Sequence, residues 1–519
     1  MSVRWWTLAA CAAALGLVGC NSGTRDVLAG SSDPPGSSAS TGSSGTTGAA
    51  TIGGSASTTG AGASSSSSGS TGSSASSASS SSSSTGSSGS SGSTGSGQLH
   101  ATAVHGPASN WQIIEIGGNV YDVSSDKAGN LWVADGVSGL VYIPAGSATP
   151  RWFTLADGLH PYGYPSQGAI TQVQLKVISV AGGEANNAYV GYDGIGDCED
   201  EWDQDQPNPD PNIYKSGDAD HVWISGGGFN VAHYDIYTGP GIVAAEPQGR
   251  EKLCSIYRLV YDGAHGAVWA GANHGFAFLN PNYDGSSFYL GDDDPGILME
   301  HIHPAINGYL TDASPATDDF LLTGGYYGMA VDPAGDIWAG GIFRTYKCVA
   351  GEGGINFWTC ESDAPHNHQI DIWPDPVSHD AWPQQRVDDY VTGLAVAPDG
   401  TVWASARDRQ DNPNQYQVMG IGLAHLSATG VPIGYLTDAM PSQHLTALAA
   451  DPDGSIWIGS EAGVARYIPS QGVVQQFGGD ALGGHWGDIV GNIQIDTSGP
   501  KRRVLIGFMS GAVAIYTGD

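Results

Sequence analysis

Between Asp197 and Asp205 the chain places six carboxylates in nine residues: Asp197, Glu199, Asp200, Glu201, Asp203 and Asp205. A hard cation that takes six to eight oxygens suits such a run, so calcium is the cofactor it would call for. The spacing is not that of an EF-hand loop, and a solvated acidic loop is the competing reading. Two histidine groups offer a different chemistry. Glu300-His301-Ile302-His303 sets two imidazoles two residues apart, on one side of a strand, with His274 of Asn273-His274-Gly275 in the same repeat. Such donors can share a zinc-type ion. His366 and His368, followed by His379-Asp380, have the same potential. For both groups, polar loop histidines without a metal are the alternative. No Ser/His/Asp arrangement, phosphate loop or metal motif of known spacing accompanies them, so no catalytic residue is assigned.

The elements that must position these residues are repeated. The unit is an apolar strand, a tight Asp/Gly turn, a strand centred on Trp and a third strand bounded by Gly. It reads Val120-Tyr121-Asp122-Val123 and Lys127-Ala128-Gly129-Asn130-Leu131-Trp132, then Met329-Ala330-Val331-Asp332-Pro333-Ala334-Gly335-Asp336-Ile337-Trp338. Leu394 to Trp403 and Leu448 to Gly459 repeat it. Pro presets φ and Gly accepts a positive φ in these turns, and the β-branched and aromatic flanks read as strands. Weaker copies run over Ile170 to Gly191, Ile256 to Gly271 and Ile493 to Gly507. Units of this kind bury both sheet faces only by stacking around a ring. The expected fold is therefore all-β: a single propeller of seven four-stranded blades over 99–519. Its last unit has three strands, so the orphan strand Trp111 to Ile116 is expected to complete that blade and lock the ring. The Trp residues at one strand position read as packing between blades.

Asp451-Pro452-Asp453-Gly454-Ser455-Ile456-Trp457-Ile458-Gly459-Ser460 with Gly463 to Tyr467, and Trp152-Phe153-Thr154-Leu155-Ala156-Asp157-Gly158-Leu159, resemble the two-component regulator propeller repeat. That resemblance implies an extracytoplasmic sensory or interaction propeller.

Extra residues fall at 193–217, 341–355 and 407–420, read as joining second to third strands, and at 280–323 and 361–390, read as joining blades. All five then emerge on one face, where function is expected.

The chain's start carries an address. Arg4, the apolar stretch Leu8 to Val18 and Leu17-Val18-Gly19-Cys20 resemble a bacterial lipoprotein signal, with residues 1–19 removed and Cys20 lipidated. Asn21 in place of Asp points to the outer membrane. Residues 20–98 are dominated by Ser, Gly, Thr and Ala and read as a disordered tether with a reach of roughly 45 Å. Membrane contact is then through the N-terminal lipid alone, and the molecule is expected to be a monomer. Of the remaining cysteines, Cys348 with Cys360 and Cys198 with Cys254 are the favoured of three disulfide pairings in an exported domain.

With 51 Asp plus Glu against 18 Lys plus Arg, the chain repels phosphate backbones, which excludes nucleic acid as a partner. Two functional classes fit. A binding module would hold a glycan, a peptide or an envelope protein on its loop-rich face. A metal-dependent propeller enzyme, in the manner of propeller lyases and lactonases, would use the histidines of that face.

Overall fold

The computed structural model describes residues 97–161, 175–194, 217, 219–234, 255–272, 275–284, 299–302, 325–341, 345–348, 367–370, 390–407 and 422–518. The alternating and fully apolar runs within them form seven sheets, each built on four antiparallel strands. The first strands are Asp122–Ser125, Val177–Gly182, Ile256–Asp262, Tyr326–Val331, Tyr390–Val396, Leu445–Ala450 and Val490–Asp496. Each touches the next, and the last touches the first. The sheets thus stand around a central channel as the blades of an all-β propeller, and are numbered here from Asp122.

The turns explain the spacing of the repeat. The N–H of Gly129, Gly335, Gly400 and Gly454 donates to the carbonyl three residues earlier, at 2.8 to 2.9 Å. Each of these glycines has φ between 79° and 87°, a region that a Cβ disfavours. Three residues further on comes the Trp. Trp132, Trp338 and Trp457 are wholly buried, and Trp269 and Trp403 nearly so. In two blades the Asp that opens the turn also holds the indole: Trp132 Nε1 donates to Asp126 at 3.1 Å and Trp457 Nε1 to Asp451 at 2.9 Å. Turn and core are thereby coupled through one carboxylate. The register places Tyr189 of blade two and Leu505 of blade seven at the Trp position, opposite Ala181 and Gln494.

The orphan strand Trp111–Glu115 pairs antiparallel with Ala512–Tyr516, so blade seven takes its outer strand from before blade one. Two additions extend this lock. Gly97–Leu99 pairs parallel with Pro432–Leu436 on blade five, and Thr102–His105 pairs parallel with Val473–Gln476 on blade six. The segment before the orphan strand therefore covers the edges of two blades, which removes them as templates for pairing with other chains.

His485 latches this closure. One ring nitrogen lies 2.9 Å from Asp488 and 2.8 Å from Ser510, and the other 3.2 Å from Glu115 of the closing strand. Burial works against the charged ring, but the two carboxylates outweigh it and raise its pKa above the ordinary 6.5. A raised folded-state pKa contributes stability that is complete below about 6.5 and lost as pH rises through the higher folded value. In chemical denaturation at a series of pH values, His485→Gln should remove that part of the fall. Parallel curves for the variant and the natural chain would contradict it.

The long connections divide between the faces. Residues 193–218 and 408–421 do join second to third strands. The region 280–323, however, contains the fourth strand Met299–Ile302 of blade three, and 361–390 contains the fourth strand Asn367–Ile370 of blade four. Within 341–355, Thr345–Cys348 is the third strand of blade four, so 349–366 joins third to fourth. Connections 280–298 and 349–366 consequently leave from the Asp/Gly-turn face rather than the opposite one. The five do not share a face, because short outer strands such as Asn-His-Gln-Ile lack the apolar run that marks an inner strand.

Candidate functional site

The channel is the concave site that the fold creates, a cavity of about 180 Å³ lined by first-strand residues. Its chemistry emerges when the seven first strands are compared at equivalent register. Opposite the Trp position lie Ser124, Ala181, Val260, Ala330, Ala395, Ala449 and Gln494. Two residues earlier in each strand come Asp122, Ser179, Arg258, Gly328, Gly393, Ala447 and Asn492. In six of the strands the pairing slips by one residue at a bulge just before this position. Four blades carry Ser, Gly or Ala there, as close approach demands: a Cβ on Gly393 would lie 2.9 Å from Leu448 Cβ. Blades one, three and seven carry large polar groups instead.

These three residues interact across the ring. Asp122 is buried, and its carboxylate accepts from the N–H of Val123 at 2.7 Å, from that of Val180 at 3.0 Å and from the Asn492 side chain. Burial pushes its pKa up, opposed by the Arg258 charge and by these hydrogen bonds. Arg258 is half-buried, and its one hydrogen bond among the described residues runs from Nε to the Tyr327 carbonyl at 3.1 Å. Burial lowers its pKa and Asp122 works the other way. Asp122 is saturated with donors whereas Arg258 holds donors in reserve, so the channel presents a guanidinium fork to an oxygen acceptor.

The repeat itself can now be placed. Residues 439–462 match the family model of the two component regulator propeller, and span the first strand, turn and Trp457 strand of blade six. The chain carries a two-component regulator propeller repeat. Several solved structures are similar in fold at low identity. YCF48 bound to D1 peptide is 12% identical over 81% of this chain and 100% of its own, with a TM-score of 0.44. A catalytically inactive virginiamycin B lyase from Staphylococcus aureus with quinupristin is 9% identical over 79% and 100%, at 0.44. The WD40 β-propeller domain of Doa1 is 10% identical over 79% and 98%, at 0.40. No curated protein matches the sequence.

Around the regulator-propeller repeat, the residues singled out from sequence scatter. Glu300 and His301 lie on the outer strand of blade three, paired with Phe278 and Ala277, and His303 and His274 lie outside the described residues. His368 pairs with Lys347 on the outer strand of blade four, and His366 is outside the described residues. That outer strand starts at the Asp/Gly-turn face, so His368 stands toward the opposite end of the propeller from the expected one. Cys348 sits on the third strand of blade four. Asp197, Glu199, Asp200, Glu201, Asp203, Asp205, Cys20, Cys198, Cys254 and Cys360 lie outside the described residues.

Sequence reading missed Arg258, although a signal existed: an Arg at a repeat position that holds Gly, Ala or Ser in four of the other six blades. It also missed a group at the end of blade two. His160, Asp220 and His233 each bring one ligand atom within 4.8 Å of the others. They come from three separate segments with no common motif.

Proposed function

We propose that the chain is a membrane-tethered, extracytoplasmic binding module whose propeller channel receives an oxygen-bearing group of its ligand on Arg258. The observation that carries this reading is the repeat comparison: a guanidinium stands at a ring position where four blades carry Ser, Gly or Ala and the other two carry Asp122 and Asn492, which bond to each other. A stability role alone would be served by Gly, Ala or Ser, as in four other blades. The lipoprotein-like signal ending in Cys20 and the Ser/Gly tether support placement in the cell envelope, outside the cytoplasm. The net charge of −33 disfavours polyanions, so the ligand is the end of a glycan, a peptide or an envelope protein that offers a single acceptor group.

Screening glycan and peptide arrays with the purified full chain, followed by titration of each hit, tests this. Arg258→Gln should weaken binding about ten- to a hundredfold, as expected for about 1.5–3 kcal/mol from hydrogen bonds to a charged donor. Gly400→Ala, in an outer turn far from the channel, should leave affinity unchanged. A hit that binds Arg258→Gln as tightly as the natural chain would place the ligand elsewhere and sink the channel reading.

A further inference from the structure

We infer that His160, Asp220 and His233 form a binding site for a divalent transition ion of the zinc type, at the end of blade two opposite the Asp/Gly turns. This site is separate from the channel. Asp220 lies at the start of the third strand, Ala219–Ser225, and faces His233 on the fourth strand, Gly228–Tyr234, in register. His160 arrives from blade one, just after the single turn Leu155–Asp157, whose capping box of Thr154 and Asp157 fixes the direction of the chain. The Pro161 carbonyl then accepts from the Gly217 N–H at 3.3 Å, which ties that segment to the approach of the third strand.

The group is organised as a metal-binding shell would be. Asp220 is wholly buried; one carboxylate oxygen lies 2.8 Å from His233 Nδ1, and the other accepts from the His160 N–H at 2.8 Å and from the Tyr192 hydroxyl. His233 thus presents Nδ1, not Nε2, on the side of the ring where Asp220 lies. The His233 side chain is only 9% exposed, and its far nitrogen Nε2 is buried without a hydrogen-bond partner. An ion bound at Nδ1 and the carboxylate would replace the proton that they now share. The His160 ring stands edge-to-face against that of His233, with centroids 4.4 Å apart at 78°.

Three ligand atoms within 4.8 Å of one another need move inward by less than about 1 Å to reach the roughly 2.0–2.1 Å at which zinc binds imidazole. Two imidazoles with one carboxylate select zinc, cobalt or nickel over calcium and magnesium, which prefer oxygen. A hydrogen-bonded clamp between blades one and two would need Asp220 and the His160 backbone. It would not need the His160 imidazole to come within 4.8 Å of the other two ligand atoms.

The full chain, stripped with a chelator, would be titrated with zinc chloride against a chromophoric competitor, and separately with cobalt chloride. One zinc equivalent should bind, Tm should rise, and cobalt should give a visible ligand-field band. His160→Ala and His233→Gln should each weaken zinc at least tenfold and abolish the band. His160 lies on the connection after the turn rather than in a strand, so His160→Ala remains informative if His233→Gln unfolds. Absence of zinc binding in the natural chain, or unchanged zinc affinity in a folded His160→Ala, would overturn the site and leave the group a structural clamp.

Discussion

Trp457→Ala should lower the unfolding free energy by about 3–5 kcal/mol, the range for truncating a fully buried large aromatic. The indole is wholly buried at the seam where blade six meets blade seven. It stacks on Phe477 with centroids 5.4 Å apart at 9°, meets Trp111 of the closing strand edge-on at 6.2 Å, and packs on Tyr516 at 5.3 Å. Collapse around the hole is restricted because its neighbours belong to the closing strand, to the last strand of blade seven and to blade six itself. Removing the ring therefore loosens the ring closure along with the core of one blade. Urea denaturation with Trp152→Ala as control tests this. Trp152 is 41% exposed, and its loss should cost much less. Equal costs for the two would refute the assignment of the repeated Trp to inter-blade packing.

Asp451→Ala should cost a similar amount for a different reason. The carboxylate is wholly buried and accepts from Arg502 Nε at 2.6 and 2.8 Å and from Trp457 Nε1. Breaking a buried ion pair from one side costs about 3–5 kcal/mol, because the remaining charge keeps its desolvation penalty without its partner. Here that partner is Arg502, whose side chain is 19% exposed and which also donates to the Gly518 carbonyl at 2.6 Å. The damage should reach the C-terminal end of blade seven. A double-mutant cycle decides how much is the orphaned charge: Asp451→Asn with Arg502→Met should be more stable than Asp451→Asn alone. Additive losses would mean that Arg502 is solvated well enough to stand unpaired.

The two sites proposed here draw on different parts of the propeller's architecture. Arg258 uses the one place where all blades converge, so a departure from the small residues of the repeat projects into space shared by the whole ring. The His160, Asp220 and His233 group uses the opposite property: a join between two blades, where one blade's exit segment crosses the ends of the next blade's outer strands. Loss of one should therefore leave the other intact.

Much of the fold was written locally. The Asp-x-x-Gly-x-x-Trp spacing dictates a turn with a left-handed glycine and a buried indole on the following strand, because turn chemistry and strand alternation act over a few residues. The three-stranded last unit and the orphan Trp111 strand similarly determined how the ring closes, since an unpaired edge needs a partner. What the tertiary structure decided is what depends on partners distant in the chain. The parallel edge strands at Gly97–Leu99 and Thr102–His105 have no apolar alternation of their own; their pairing is set by where the closing strand must enter. The face from which each long connection leaves turned on short polar outer strands that carry little periodicity. The functional candidates followed the same division. Clusters contiguous in sequence drew attention, whereas Arg258 acquires meaning only against six other strands, and His160 meets Asp220 and His233 only because the exit segment of blade one runs onto the end of blade two.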